Sequence, residues 1–125
     1  MKYNNNTFKF EKISLQKLAK KYETPLYCYS YKKLKQNIDD FKLNFKSFSP
    51  LICFATKANS NLKILKEIKK NGLGADVVSK GELMKALKAG ISSKKIVFSG
   101  VGKTSSELSY AIDKKILLIN SESKS

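Results

Sequence analysis

The chain has no histidine, no arginine and no tryptophan among its 125 residues, and only two cysteines and two prolines. Without histidine, the Ser-His and Cys-His nucleophile pairs and most zinc arrangements are excluded. Two isolated cysteines, Cys28 and Cys53, cannot make a structural zinc site alone; both lie in apolar runs. They read as free thiols of a reducing compartment, which places the protein in the cytoplasm. No run approaches the ~18 apolar residues needed to span a bilayer, so no membrane partner is expected. Met1 to Phe10 has no continuous apolar core, which argues against a secretory signal.

The missing arginine bears on the charge. The formal net charge is +15, yet all 25 basic residues are lysine. Arginine's planar fork reads phosphate and guanine bidentately; lysine is a point charge. The lysines are also scattered over every helix-like segment instead of forming one stripe. Nucleic acid is therefore not the expected partner, although a lysine-rich anion-binding α/β domain stands as an alternative. Its signature would be binding that collapses with added salt and ignores Lys57→Ala.

What is present is a soluble globular composition, 42% hydrophobic and 28% charged, in a chain long enough for one core. Ser14 can cap a short helix carrying Leu15, Leu18, Ala19 and Tyr22, which Thr24-Pro25 stops. Leu26 to Tyr29 reads as a strand. Ser30 opens the longest helix, with Tyr31, Leu34, Ile38, Phe41 and Phe45 at steps of three and four, and Ser49-Pro50 ends it.

From residue 51 a rhythm sets in. Apolar runs begin at Leu51, Gly74, Ile96 and Ile116, which are 23, 22 and 20 residues apart, and a helical pattern fills each gap. The first gap carries Leu62, Leu65 and Ile68 and closes at Gly72. The second opens on Ser79-Lys-Gly-Glu82 and the third on Thr104-Ser-Ser-Glu107, both capping-box patterns. Alternating strands and helices predict right-handed βαβ units and a parallel sheet. Spacing alone does not separate an eight-unit barrel from an open doubly wound sheet. After Ile116 to Asn120 only Ser-Glu-Ser-Lys-Ser follows, with no helix to cover the last strand. A parallel sheet needs both faces covered, so the chain reads as an unfinished α/β fold, about half a barrel.

Two motifs nearly fit and fail. Gly102-Lys103-Thr104 ends like a P-loop, but Val97 stands where the first glycine is required. The dinucleotide fingerprint fails as well, since Ser105 and Val77 occupy the third glycine position after Gly100-Val-Gly102 and Gly72-Leu-Gly74. These glycines read as tight strand-to-helix turns, whose exposed amides could line an anion site. The segment Leu51 to Asn61 is more telling: an apolar run delivers a single amine, Lys57, to its C-terminal end. A lysine held there and partly desolvated can act as a nucleophile toward a carbonyl. The bland alternative is a solvated lysine after a strand. Asp76 is the carboxylate placed to approach it across neighbouring strand ends.

Four motifs in order carry a resemblance that runs from about Leu15 to Lys124. They are Thr24-Pro25-Leu-Tyr, Phe54-Ala-Thr-Lys57-Ala-Asn-Ser-Asn61, Gly74-Ala-Asp76-Val-Val-Ser79-Lys-Gly-Glu82-Leu and Phe98-Ser-Gly100-Val-Gly-Lys103-Thr104. Together they resemble the diaminopimelate decarboxylases, a branch of the ornithine, diaminopimelate and arginine decarboxylases. These are pyridoxal-phosphate enzymes with an alanine-racemase-like (β/α)8 TIM barrel.

The resemblance implies that Lys57 is catalytic and holds the pyridoxal 5'-phosphate covalently, with Asp76 beside the cofactor and Glu82 at the start of the nearby helix. It implies decarboxylation of meso-2,6-diaminopimelate to L-lysine and carbon dioxide, a small amino-acid substrate and a homodimer. Ornithine or arginine as substrate, or a non-catalytic pyridoxal-phosphate carrier, are the alternatives. By the same likeness residues 1–29 are a lead-in packed near a β-rich second domain. Residues 30–125 are then the N-terminal half of the barrel, inactive alone. The family's ring-stacking histidine, glycine-rich phosphate loop and later cysteine and tyrosine have no counterpart here. One departure stands inside the lysine block: Thr56 occupies a position where the family usually has a β-branched apolar residue, commonly valine. Its isosteric shape makes the exchange tolerable.

Overall fold

The computed structural model describes residues 2–4 and 7–123, and the chain divides into two compact units, Met1–Asn44 and Phe45–Ser125. In the first unit, β1 (Lys2–Asn4), β2 (Thr7–Phe10) and β3 (Ile13–Ser14) form an antiparallel sheet in that order. Helix α1 (Leu15–Tyr22) follows at once, with the Ser14 side chain accepting from the Lys17 N–H. Helix α2 (Tyr31–Asn44) is opened by Ser30, whose hydroxyl oxygen accepts from the Lys33 N–H at 2.9 Å. Between them, Leu26 to Tyr29 is not a strand. Its apolar and aromatic residues fit a pleated surface, but no described strand offers it a ladder, and Tyr27 stands 84% exposed. Strand propensity without a partner does not make a strand.

The second unit follows the rhythm of the sequence. It runs β4 (Cys53–Ala55), α3 (Leu62–Lys70), β5 (Gly74–Val77), α4 (Lys80–Lys88), β6 (Ile96–Phe98), α5 (Ser105–Asp113) and β7 (Leu118–Ile119). All neighbouring strands are parallel, and their spatial order is their chain order, β4-β5-β6-β7. This order separates the two architectures that spacing left open. A doubly wound sheet reverses direction at a switch point; here each right-handed crossover steps the same way, which puts every helix on one side. The second unit is the wall of a partial (β/α)8 barrel.

The two faces of that wall differ. On the helix side Ala75, Val77, Ile96 and Phe98 are fully buried, together with Leu65 and Ile68 of α3, Leu83 and Ala86 of α4 and Ala111 of α5. On the other side lie Cys53, Ala55, Asp76, Val97 and Leu118, aligned by strand register and only partly covered. Two glycines explain how tightly the layers join. Gly72 closes α3 with a φ of 76°, a left-handed conformation open to glycine at little cost. Gly74 has no room for a side chain, since a Cβ there would lie 2.1 Å from the Lys95 carbonyl oxygen. Gly74 is therefore a close-approach glycine at the start of β5, not the strand-to-helix turn glycine that the sequence suggested.

Candidate functional site

The residues of the last three motifs gather at the C-terminal ends of β4, β5 and β6, the end at which barrel enzymes carry their chemistry. Beyond Ala55 the chain turns through a short 3-10 segment, Thr56–Ala58, and presents Lys57. The polar residues that follow turn the chain. Asn59 Oδ1 accepts from the Asn61 N–H at 3.0 Å, and Asn61 Oδ1 caps α3 by accepting from the Lys63 N–H at 2.9 Å. Lys57 itself is exposed and its amine has no hydrogen bond or ion pair among the described residues. This exposure matches the solvated alternative that the sequence left open.

Asp76 stands one strand away, with Ala55 as its ladder partner. Its Oδ1 is buried and has no hydrogen-bond partner among the described residues. A buried carboxylate oxygen without a donor calls for a physical account, because desolvating it uncompensated costs about 1–3 kcal/mol or more. No ion pair joins it to Lys57. Cys53 shares this face, and its thiol is pushed up from its ordinary value, first by burial and then by the negative charge of Asp76.

Glu82 and Glu107 occupy the same third position in successive helices, and the sequence gives them the same pattern. Only one completes it. At α5, Thr104 Oγ1 accepts from the Glu107 N–H while Glu107 Oε2 accepts from the Thr104 N–H at 3.1 Å, a full reciprocal box. Glu107 Oε1 also accepts from the Lys80 N–H at 2.9 Å, so one carboxylate joins the starts of α4 and α5. These backbone donors, Lys80 first and Thr104 next, hold its carboxyl below the usual carboxylate range. At α4, Ser79 Oγ accepts from the Glu82 N–H at 3.3 Å, but Glu82 does not reach back. Its Oε2 instead accepts from the Val78 N–H at 2.9 Å and from the Thr56 hydroxyl. The expected box at Ser79 is thus only half formed, and strand β5 stops at Val77 because the next N–H turns to Glu82.

Thr56 is the residue the sequence undervalued. It is 1% exposed, the one buried polar residue among those described. Its hydroxyl lies between Glu82 Oε2 and the Asp76 carbonyl oxygen, 2.9 Å away. The signal was its departure from an apolar position, read as a harmless isostere. The P-loop likeness dissolves as expected. Lys103 Nζ donates to the Gly100 carbonyl and pairs with Glu122 at 3.0 Å, so it is not free for a phosphate. A groove of about 600 Å³ in the first unit is lined by Lys9, Lys12, Lys17 and Lys20, and none of the motif residues reaches it.

An amine free to attack and, on the next strand, a buried oxygen lacking a donor suit a ligand with a carbonyl for the first and a positive charge or N–H for the second. Among the described residues no helix is long and apolar enough to cross a membrane, and no group of three or more His, Cys, Asp or Glu could hold a metal ion.

The chain is 50% identical over 111 residues to a diaminopimelate decarboxylase of Helicobacter pylori (strain J99), covering 89% of this chain and 27% of that protein. The crystal structure of AQ1208 from Aquifex aeolicus superposes with a TM-score of 0.93 at 43% identity, over 98% of this chain and 30% of that one. A diaminopimelate decarboxylase from M. jannaschii, solved in co-complex with L-lysine, gives a TM-score of 0.90 at 36% identity, over 96% and 29%. The chain thus spans less than a third of the length of the relatives it matches. The model of the pyridoxal-dependent decarboxylase pyridoxal-binding domain matches residues 31–125, and on that match the chain belongs to the pyridoxal-dependent decarboxylase family.

Proposed function

We propose that the chain is the N-terminal part of a pyridoxal-phosphate-dependent decarboxylase that converts meso-2,6-diaminopimelate to L-lysine and carbon dioxide. The supporting observation is the pairing, on adjacent strand ends, of the free Lys57 amine with the unpaired buried oxygen of Asp76, in a chain half identical to such an enzyme. In this reading residues 30–125 supply the first half of the barrel and residues 1–29 lead into it. A homodimer and a cytoplasmic setting belong to the same proposal; both cysteines being free suits the second.

The residues present have separable tasks. Lys57 would hold the cofactor through its amine, the nucleophile that this strand end presents. Asp76 supplies a fixed negative charge at the neighbouring strand end. Glu82, tied to the Val78 N–H and to Thr56, holds the β5-to-α4 turn on which Asp76 depends. The cofactor, when bound, supplies an electron sink that accepts the pair left behind as carbon dioxide departs. Lys57 is exposed in this structure, so its amine is open to an incoming aldehyde.

The test is covalent capture. The full-length protein is incubated with pyridoxal phosphate, reduced with borohydride and digested; the label is expected on the peptide containing position 57. Carbon dioxide release is then compared for diaminopimelate, ornithine and arginine, with the first expected to dominate. A label elsewhere, or none, would end the proposal, and a preference for ornithine or arginine would end its substrate.

A further inference from the structure

Thr56 carries an inference that neither the family resemblance nor the roles of Lys57, Asp76 and Glu82 contain. Three observations meet at its hydroxyl. Thr56 precedes Lys57 directly and is buried, whereas Lys57 is exposed. The last ladder pair between β4 and β5 is Ala55 with Asp76, so the two strands part where the chemistry begins. Beyond that point Thr56 Oγ1 reaches the Asp76 carbonyl oxygen at 2.9 Å and Glu82 Oε2.

A hydroxyl has one proton to donate, and here it faces two acceptors. Both acceptors belong to the machinery on the neighbouring strand and helix. The Asp76 carbonyl is part of the backbone that aims the Asp76 carboxylate. The Glu82 carboxylate also holds the Val78 N–H, two residues further along the same chain. Sharing that proton between the two, this one side chain links the lysine-bearing turn to the β5-to-α4 connection. A valine of the same shape fills the same space but provides none of these ties.

We propose that Thr56 is a positioning residue, whose hydroxyl sets the Lys57 amine relative to the Asp76 carboxylate by joining β4 to β5 and to the start of α4. The proposal rests on the reading of Lys57 and Asp76 as cofactor-binding residues. It differs from that reading in locating the control in a buried hydroxyl that touches neither cofactor nor substrate.

The experiment uses the full-length protein with Thr56→Val, Thr56→Ser and Lys57→Ala. Pyridoxal-phosphate affinity is measured by titrating the visible band of the bound cofactor, and kcat and KM for diaminopimelate are measured separately. Loss of one hydrogen bond to a charged group corresponds to about tenfold in affinity or rate. Thr56→Val is expected to weaken cofactor binding and lower kcat by about that factor while KM stays within about twofold. Thr56→Ser, which keeps the hydroxyl and loses a methyl group, is expected to recover most of both. Wild-type behaviour of Thr56→Val would overturn the proposal, and so would equal losses in the valine and serine variants, because packing alone would then explain them. Lys57→Ala separates the two claims. If it keeps covalent cofactor capture, the reading of the site fails; if it loses capture while Thr56→Val is unchanged, only the role of Thr56 fails.

Discussion

The two faces of the four-stranded sheet are built from the same strands yet obey different rules. Toward the helices the side chains of Ala75, Val77, Ile96 and Phe98 are wholly buried among aliphatic residues of α3, α4 and α5. Toward the other side the same strands place a thiol, a carboxylate whose Oδ1 has no hydrogen-bond partner among the described residues, and Leu118, which is 51% exposed. Strand alternation generates this division, because successive residues point to opposite faces. One face is satisfied by what this chain contains. The other leaves one buried carboxylate oxygen without a hydrogen-bond partner among the described residues.

The comparison can be broken most forcefully at Phe98. Its ring is fully buried on the helix face, so Phe98→Ala is expected to destabilise the full-length protein by about 3–5 kcal/mol, read from urea unfolding. A loss below about 1 kcal/mol would mean that the helix layer is not the core it resembles. On the open face the expectation inverts. Asp76→Asn keeps the shape and replaces a carboxylate whose buried Oδ1 has no hydrogen-bond partner among the described residues, so the unfolding midpoint should hold or rise while cofactor affinity falls by about tenfold. A fall in stability with affinity intact would make Asp76 a structural residue.

Smaller effects sharpen the contrast. The Glu107 carboxyl is held below the usual range by the Lys80 and Thr104 backbone donors, so its contribution to folding is present above the ordinary value near ~4.3 and fades as pH falls through its lowered one. The stability gap between wild type and Glu107→Gln should therefore be constant near neutrality and close in acid. A gap that persists unchanged to pH 3 would show that the charge is not responsible. The smallest expected effect is at Cys53. Burial and the nearby Asp76 raise its thiol, so alkylation at that site should need more alkaline conditions than an ordinary cysteine, and Asp76→Asn should ease it. Labelling indifferent to Asp76 would mean that the two groups do not share a face.

The sequence was most readable where local rules decide. Strand and helix alternation from Leu51 onward, the stop at Gly72 and the box at Thr104 and Glu107 each depend on residues within a few positions. It was least readable where two distant segments compete for one group. The Ser79 to Glu82 pattern is as good locally as Thr104 to Glu107, yet the Glu82 carboxylate left the box for Thr56, 26 residues earlier in the chain. The aromatic run at Leu26 to Tyr29 satisfies every local preference of a strand and fails only for want of a neighbour. Lys57 was located correctly at a strand end, but whether its amine is wet or dry depends on what covers the sheet.

Periodicity, capping residues and the glycine stop at Gly72 were enough to indicate a parallel α/β wall with an amine at a strand end, because each follows from short-range sterics and hydrogen bonding. Which way successive strands step, which carboxylate caps its own helix and which reaches across, and which polar atom is left without a partner were decided by folding alone. Those outcomes depend on distances between residues far apart in the chain, and no local pattern encodes them.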